Sequence, residues 1–234
     1  MSITDTPSPN ADDLEATDEP PVPRVRPPLT VVLMCVVAAA VLAIAATAGW
    51  LAADRGGSSP SIGDSSVDAG FARDMSTHHT QAVIMAGYTR DHTSDPSIEL
   101  LAYDIETSQY FELGQMQGWL DSWGLPRGTH RTSMAWMAGH SHSLPGGLMP
   151  GLATPAQMDS LERLTGKALD IDFLQMMIHH HQGAIPMAQY AAEHAQTGYV
   201  RNLAQKMLAA QSNKIIAMEQ LLRARGGSPL PAPS

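Results

Sequence analysis

With 234 residues, 44% of them hydrophobic and 16% charged, the chain is long enough for one domain or two small ones and is not a disordered polyelectrolyte. A formal charge of -9 without any basic cluster excludes nucleic acid as a partner. The single cysteine, Cys35, excludes an intramolecular disulfide and a thiolate metal site, while 14 Met and 10 His stand out.

Residues 1–28 are rich in acids and prolines and cannot bury enough apolar surface to offset chain entropy, so a disordered tail is expected there. Residues 29–53, LTVVLMCVVAAAVLAIAATAGWLAA, carry no charge and are long enough to cross about 30 Å of hydrocarbon as one helix. Arg24 and Arg26 just before this run place the tail in the cytoplasm and the rest of the chain outside. The rival reading is a cleaved signal peptide, since Ala46-Thr47-Ala48 has the small-x-small form of a cleavage site. An uncleaved single-pass anchor in the cell membrane is preferred, because a signal-peptide apolar region spans only about 7–15 residues. Either way the same extracytoplasmic domain results. Residues 54–66, DRGGSSPSIGDSS, read as a flexible linker.

The remainder contains an internal repeat. At an offset of 102 residues, Asp68 to Gly124 align with Asp170 to Gly226 without a gap. The densest identities are Phe71/Phe173, Met75/Met177, His78/His180, His79/His181, Ala82/Ala184, Met85/Met187, Ala86/Ala188 and Tyr88/Tyr190. Phe71, Met75, His78, Ala82 and Met85 follow a 4-3-4-3 spacing, which puts them on one face of a helix, and the second copy repeats that seam.

After a turn near 93–97, Pro96 fits a helix start, and Leu101, Ile105, Gln109, Glu112, Met116 and Leu120 continue the pattern to a stop at Gly124. The second hairpin is expected from about Ile171 to Ala195 and from about Val200 to Arg225. Two such αα-hairpins predict an all-α four-helix bundle over 67–227, with 228–234 as a short tail. Residues 125–158 form a Gly- and Pro-rich crossover, and Thr154-Pro155 with Gln157 predicts a short helix over 155–165. Pro186 either kinks its helix beside His181 or is tolerated near the helix end.

The chemistry-bearing residues lie on the seams. A histidine three residues after a methionine directs imidazole nitrogen and thioether sulfur into one layer of a bundle, so Met75 with His78 is expected to face Met177 with His180. That ligand pair suits copper, Cu(I) above all. The candidate metal set is Met75, His78, His79 and Met85 with Met177, His180, His181 and Met187. The competing reading makes His78 and His180 structural, hydrogen-bonded to the duplicated Gln109 and Gln211, and makes the methionines core packing. The crossover supplies a second group, His130, Met134, Met137, His140, His142 and Met149, which is either a soft-ion loop or a charge-poor linker. His92 and His194 fall at helix ends, where they cap.

No Glu-x-x-His motif is present, and Glu106, Glu112 and Glu219 are not duplicated, which disfavours a di-iron oxidase. Phosphate-loop and nucleophile-elbow motifs are also absent, so enzyme activity is not expected.

The doubled His-His-x-x-Ala-x-x-Met pattern and the stretch MPGLATPAQMDSLERLTGKALDIDFLQMMIHHHQGAI are similar to the domain-of-unknown-function 305 family over roughly Val67 to Gly226. The resemblance implies a ferritin-like bundle, exported or membrane-anchored, with copper handling proposed for Met- and His-rich members. The expected function is therefore a membrane-anchored extracytoplasmic metal-binding protein that buffers or transfers copper. A metal-free structural or partner-binding bundle is the alternative.

Overall fold

The computed structural model describes residues 61–128, 130–138 and 147–233. The tail and anchor expected at 1–28 and 29–53, most of the linker, and His140 and His142 lie outside the described residues. Among the described residues no helix is long and apolar enough to cross a membrane.

Ser66 starts the first helix by accepting the Ala69 N–H at 3.1 Å, and α1 runs Val67–His92. Asp95 caps α2 (Pro96–Ser122) in the same way, with proline at the first turn. Thr154 and Gln157 form a reciprocal capping box at α3 (Pro155–Leu161), which is shorter than the 155–165 expected. Next come α4 (Gly166–His194) and α5 (Gly198–Ala224). The start of α4 lies upstream of the expected 171 because Gly166, at φ 55°, turns the chain directly into the helix. It continues unbroken through Pro186.

The ends of α2 and α5 are stopped alike. Gly124 adopts φ 67° and the Leu125 N–H reaches back to Leu120 O at 2.9 Å, while Gly226 adopts φ 75° and the Gly227 N–H reaches Leu222 O at 3.0 Å. Buried aspartates tie the two hairpins together across the bundle. Asp68 accepts the Gln196 N–H at 2.7 Å and, through its other oxygen, the Thr197 N–H and hydroxyl at 2.9 and 2.7 Å. Asp170, its counterpart 102 residues on, accepts the Thr93 hydroxyl at 2.6 Å.

The described residues form an all-α helical bundle without strands. α1 packs along α2 and α4, and α4 along α5. The core divides into two apolar clusters. One holds Phe71, Met75, Met116, Met187 and Met207 with small alanines, the other Met85, Phe173, Leu174, Met177, Ile105 and Met218.

The crossover is pinned to the bundle at both ends. Asp74 of α1 accepts the Met134 N–H at 2.6 Å and the Trp136 indole N–H at 2.8 Å. Further along, the Gln81 amide brackets Ala153, donating to its carbonyl at 2.9 Å and accepting its N–H at 2.6 Å. Glycines let the two backbones touch: a Cβ on Gly183 would stand 2.6 Å from Gly151 Cα and nearer still to the Pro150 carbonyl. Gly151 itself is at φ 82° with no room for a side chain against His179 O.

Candidate metal centre

All eight sequence-selected residues are buried on α1 and α4: Met75, His78, His79, Met85, Met177 and Met187 are 0% exposed, and His180 and His181 are 1% exposed. The seam spacing brings His78 to His180 between α1 and α4 with ring centroids 3.9 Å apart, whereas His79 and His181 lie one position off the seam. The methionines are distributed differently from the expected Met75/Met177 pairing. Met75 shares one apolar cluster with Met187, and Met85 shares the other with Met177, so the histidine pair lies on α1 and α4 between residues of the two clusters. Helices that pair through matching seam positions in opposite directions give that result.

The polar partners also differ from expectation. His78 Nε2 lies 3.0 Å from Pro150 O, and His180 Nε2 lies 2.9 Å from His78 O. Since a carbonyl only accepts, each of these ring nitrogens carries the proton and donates. His181 Nδ1 donates likewise to Met177 O at 2.9 Å, and His79 Nε2 donates to Glu112 Oε2 at 2.8 Å. Gln109 and Gln211 therefore are not the histidine partners expected from their duplication, and their Oε1 atoms are buried without a hydrogen bond.

What remains on the imidazoles is decisive for their chemistry. His78 Nδ1, His79 Nδ1 and His181 Nε2 are buried with no hydrogen-bond partner. Burial, outweighing the carbonyl hydrogen bonds, pushes His78 and His181 down to about 3. The Lys214 ammonium adds to the effect at His181, and burial with the neighbouring His78 holds His180 well below its ordinary value. The free nitrogens of His78 and His181 are thus bare lone pairs over the ordinary pH range. One imidazole nitrogen donating to a carbonyl with the other bare is the arrangement in which protein histidines hold metals.

His181 borders a cavity of about 40 Å³ shared with Gln109, Gln211, Glu112 and Lys214. Outside this cavity, and sharing Ser108 and Glu112 with it, an open groove of about 670 Å³ lies between α2 and α5, bordered by Phe111, Trp119 and Tyr199. His78, His180 and His181 are all buried, and of the three His181 lines this cavity. Among the described residues no three His, Cys, Asp or Glu side chains converge as a ready-made metal site.

Sequence reasoning missed Glu112 as the partner of His79, the Pro150 carbonyl as the partner of His78, and the glycine contact that brings that carbonyl in. Gly183, a glycine inside a long helix, was the available signal. In the crossover, Met134, Met137 and Met149 are buried and His130 is exposed. His92 Nδ1 donates to Tyr88 O at 2.8 Å at the end of α1. The unduplicated carboxylates Glu106 and Glu219 are paired with Arg90 and Arg223.

A family model described as Domain of unknown function (DUF305) matches residues 68–222. Among solved structures, a DUF305 protein from Streptomyces coelicolor, described as secreted, shares 41% identity at a TM-score of 0.68, covering 72% of this chain and 99% of that chain. A DUF305 fragment from Deinococcus radiodurans shares 28% identity at a TM-score of 0.57, over 68% of this chain and 96% of that one. CopM in its Cu(I)-bound form shares 24% identity at a TM-score of 0.54, over 68% of this chain and 98% of that chain, a likeness of fold. No curated protein matches the chain.

Proposed function

The chain belongs to the DUF305 family, and from that premise we propose that it is a membrane-anchored extracytoplasmic protein that binds copper through the α1–α4 seam and buffers or transfers it. The carrying observation is the pair of bare, buried nitrogens, His78 Nδ1 and His181 Nε2, on imidazoles whose other nitrogens are fixed by carbonyls. Met75, Met85, Met177 and Met187, together with His79 and His180, supply the further candidate ligands of that seam, and neutral imidazole with thioether suits Cu(I). The fold is one in which CopM holds Cu(I) and Cu(II), and the Streptomyces relative is described as secreted. In this reading residues 29–53 anchor the chain with 1–28 in the cytoplasm, and the bundle is of the ferritin-like kind.

The residues divide the work by position. His181, on the cavity below the α2–α5 groove, receives the ion, and the buried His78–His180 pair lies further inside. Carbonyl hydrogen bonds fix which ring nitrogen faces the ion, so binding needs no tautomer change. Because burial keeps these imidazoles unprotonated, protons compete with the ion only at strongly acidic pH, near 3 and not near the ordinary 6.5.

A metal-free structural role is favoured by a different observation: His180 Nε2–H donates to His78 O across the α1–α4 contact and so fixes its register. The two readings separate on the full chain purified without a His-tag. Copper binding at the seam predicts a histidine-dependent Cu(I) equivalent and a higher melting temperature on filling it, both lost in His78→Ala/His180→Ala. The structural role predicts a double variant that melts earlier with or without copper, and a wild type that gains nothing from it. Wild-type protein that takes up no Cu(I) refutes the copper reading.

A further inference from the structure

The crossover methionines, which the seam reading leaves unused, are unevenly placed. Met134, Met137 and Met149 are 5%, 2% and 3% exposed and join the cluster of Met75 and Met187. The opposite cluster is filled chiefly by Leu, Ile and Phe side chains, among them Ile98, Ile105, Leu161, Leu174 and Phe173. One end of the bundle is therefore the richer in thioethers, although Met85, Met176, Met177 and Met218 also lie in the other cluster.

Plain core packing does not account for Met134. Its φ is 64°, and among the described residues it is the sole non-glycine with positive φ. Glycine or asparagine would adopt that conformation at less cost. The strain is held by a buried carboxylate, since Asp74 accepts the Met134 N–H and the Trp136 indole N–H, and Trp136 packs edge-on against Phe71 at 6.0 Å. Met149 is anchored through its neighbour, because Pro150 O accepts from His78 Nε2 and Gly151 abuts Gly183. Two separate devices thus turn crossover methionines into the same cluster. A cavity of about 70 Å³ bordered by Gly70, Asp74, Ala135 and Trp136 lies beside that clasp.

We infer that Met134, Met137 and Met149 close over Met75 and Met187 to form a thioether site for a soft monovalent cation, Cu(I) or Ag(I), at one end of the bundle. Soft, neutral sulfur ligands favour such ions over hard cations such as Mg(II). The Asp74 carboxylate stands behind Met134, holding its backbone N–H. The site deepens the copper reading by sharing Met75 and Met187 with the seam, and it differs in needing no histidine.

The test is the Ag(I) stoichiometry and affinity of the full chain, titrated with silver nitrate in chloride-free buffer. Wild type is compared with Met134→Leu/Met137→Leu/Met149→Leu, which keeps side-chain volume, and with His78→Ala/His180→Ala. The triple variant is expected to keep its helical circular dichroism and lose one Ag(I) equivalent, while the histidine double variant keeps that equivalent. Met134→Gly, which suits the backbone at φ 64°, is expected to weaken the same equivalent at least tenfold. A triple variant that binds every wild-type equivalent at unchanged affinity overturns the thioether site whatever the histidine variant does. Loss of silver binding in the triple variant, with the histidine variant unaffected in Cu(I) uptake, leaves this site standing and removes the seam reading. Should the triple variant fail to fold, an unweakened Met134→Gly overturns the inference alone.

Discussion

Replacing Gly183 by alanine probes the contact on which the His78 environment depends. A Cβ there would stand 2.6 Å from Gly151 Cα and closer to the Pro150 carbonyl carbon and oxygen, all backbone atoms that cannot rotate away. The crossover must then shift, and overpacking of this kind costs about 1–3 kcal/mol. A shift that carries Pro150 O away from His78 Nε2 leaves a buried N–H unpaired at a further ~1–3 kcal/mol. The better helix propensity of alanine returns about 1 kcal/mol. The net loss is about 1–5 kcal/mol, or on the order of 10 °C in melting temperature near the middle of that range for a domain of this size. Gly114→Ala is the matched control: the residue is helical and exposed, nothing lies within 4 Å of its Cβ position, and the substitution should stabilise by about 0.5–1 kcal/mol. Thermal melts followed by circular dichroism measure both. With His78 free to exchange tautomers, Cu(I) affinity should fall in the Gly183 variant and not in the control. Gly183→Ala melting at or above wild type would refute the close contact and the role assigned to Pro150.

Three further outcomes follow from the buried groups. Folded His78 and His181 take up a proton only near pH 3, whereas unfolded imidazoles do so near 6.5, so the unfolded chain binds more protons in between and stability falls as pH drops from 6.5 toward 3. At pH 5 the loss is about 2 kcal/mol per histidine, measurable as a lower urea midpoint than at pH 7; equal midpoints would contradict the burial. Asp68→Ala leaves the Gln196 and Thr197 donors without their carboxylate and should cost about 3 kcal/mol, read from the same urea titration against wild type. Lys214→Met removes a charge that disfavours a cation at His181, so Cu(I) should bind more tightly by competition titration; weaker binding would argue against His181 as the receiving ligand.

The helices were legible because their signals are local. The 4-3-4-3 spacing from Phe71 to Met85 marks a buried face, Thr154-Pro155 with Gln157 marks a capped start, and Gly124 and Gly226 mark stops, all of which the structure places within a few residues of expectation. Burial of His78 and His180 was legible for the same reason, whereas His79 and His181, one position off the seam and expected nearer the bundle edge, are just as buried. Their hydrogen-bond partners were not legible, since Pro150, His78 and Met177 act through backbone carbonyls, an acceptor every residue possesses and no side chain advertises. Duplication of Gln109 and Gln211 pointed to side-chain partners, yet the chain brings carbonyls closer.

The departures from the repeat carry more of the proposed chemistry than the repeat itself. His79 and His181 occupy matching positions, but residue 112 is a glutamate that accepts from His79, while its counterpart Lys214 depresses the basicity of His181. One imidazole donates to a carboxylate and the other to a carbonyl, each keeps a second, bare nitrogen, and it is His181 that lines the small cavity. The crossover adds a second asymmetry by delivering Met134, Met137 and Met149 to the cluster of Met75 and Met187 and not to that of Met85 and Met177. Under the proposed function, two matching helical hairpins with inequivalent surroundings would supply a reception point at His181 and a soft-ligand end, an asymmetry that suits transfer of an ion and that simple duplication of one site would not provide.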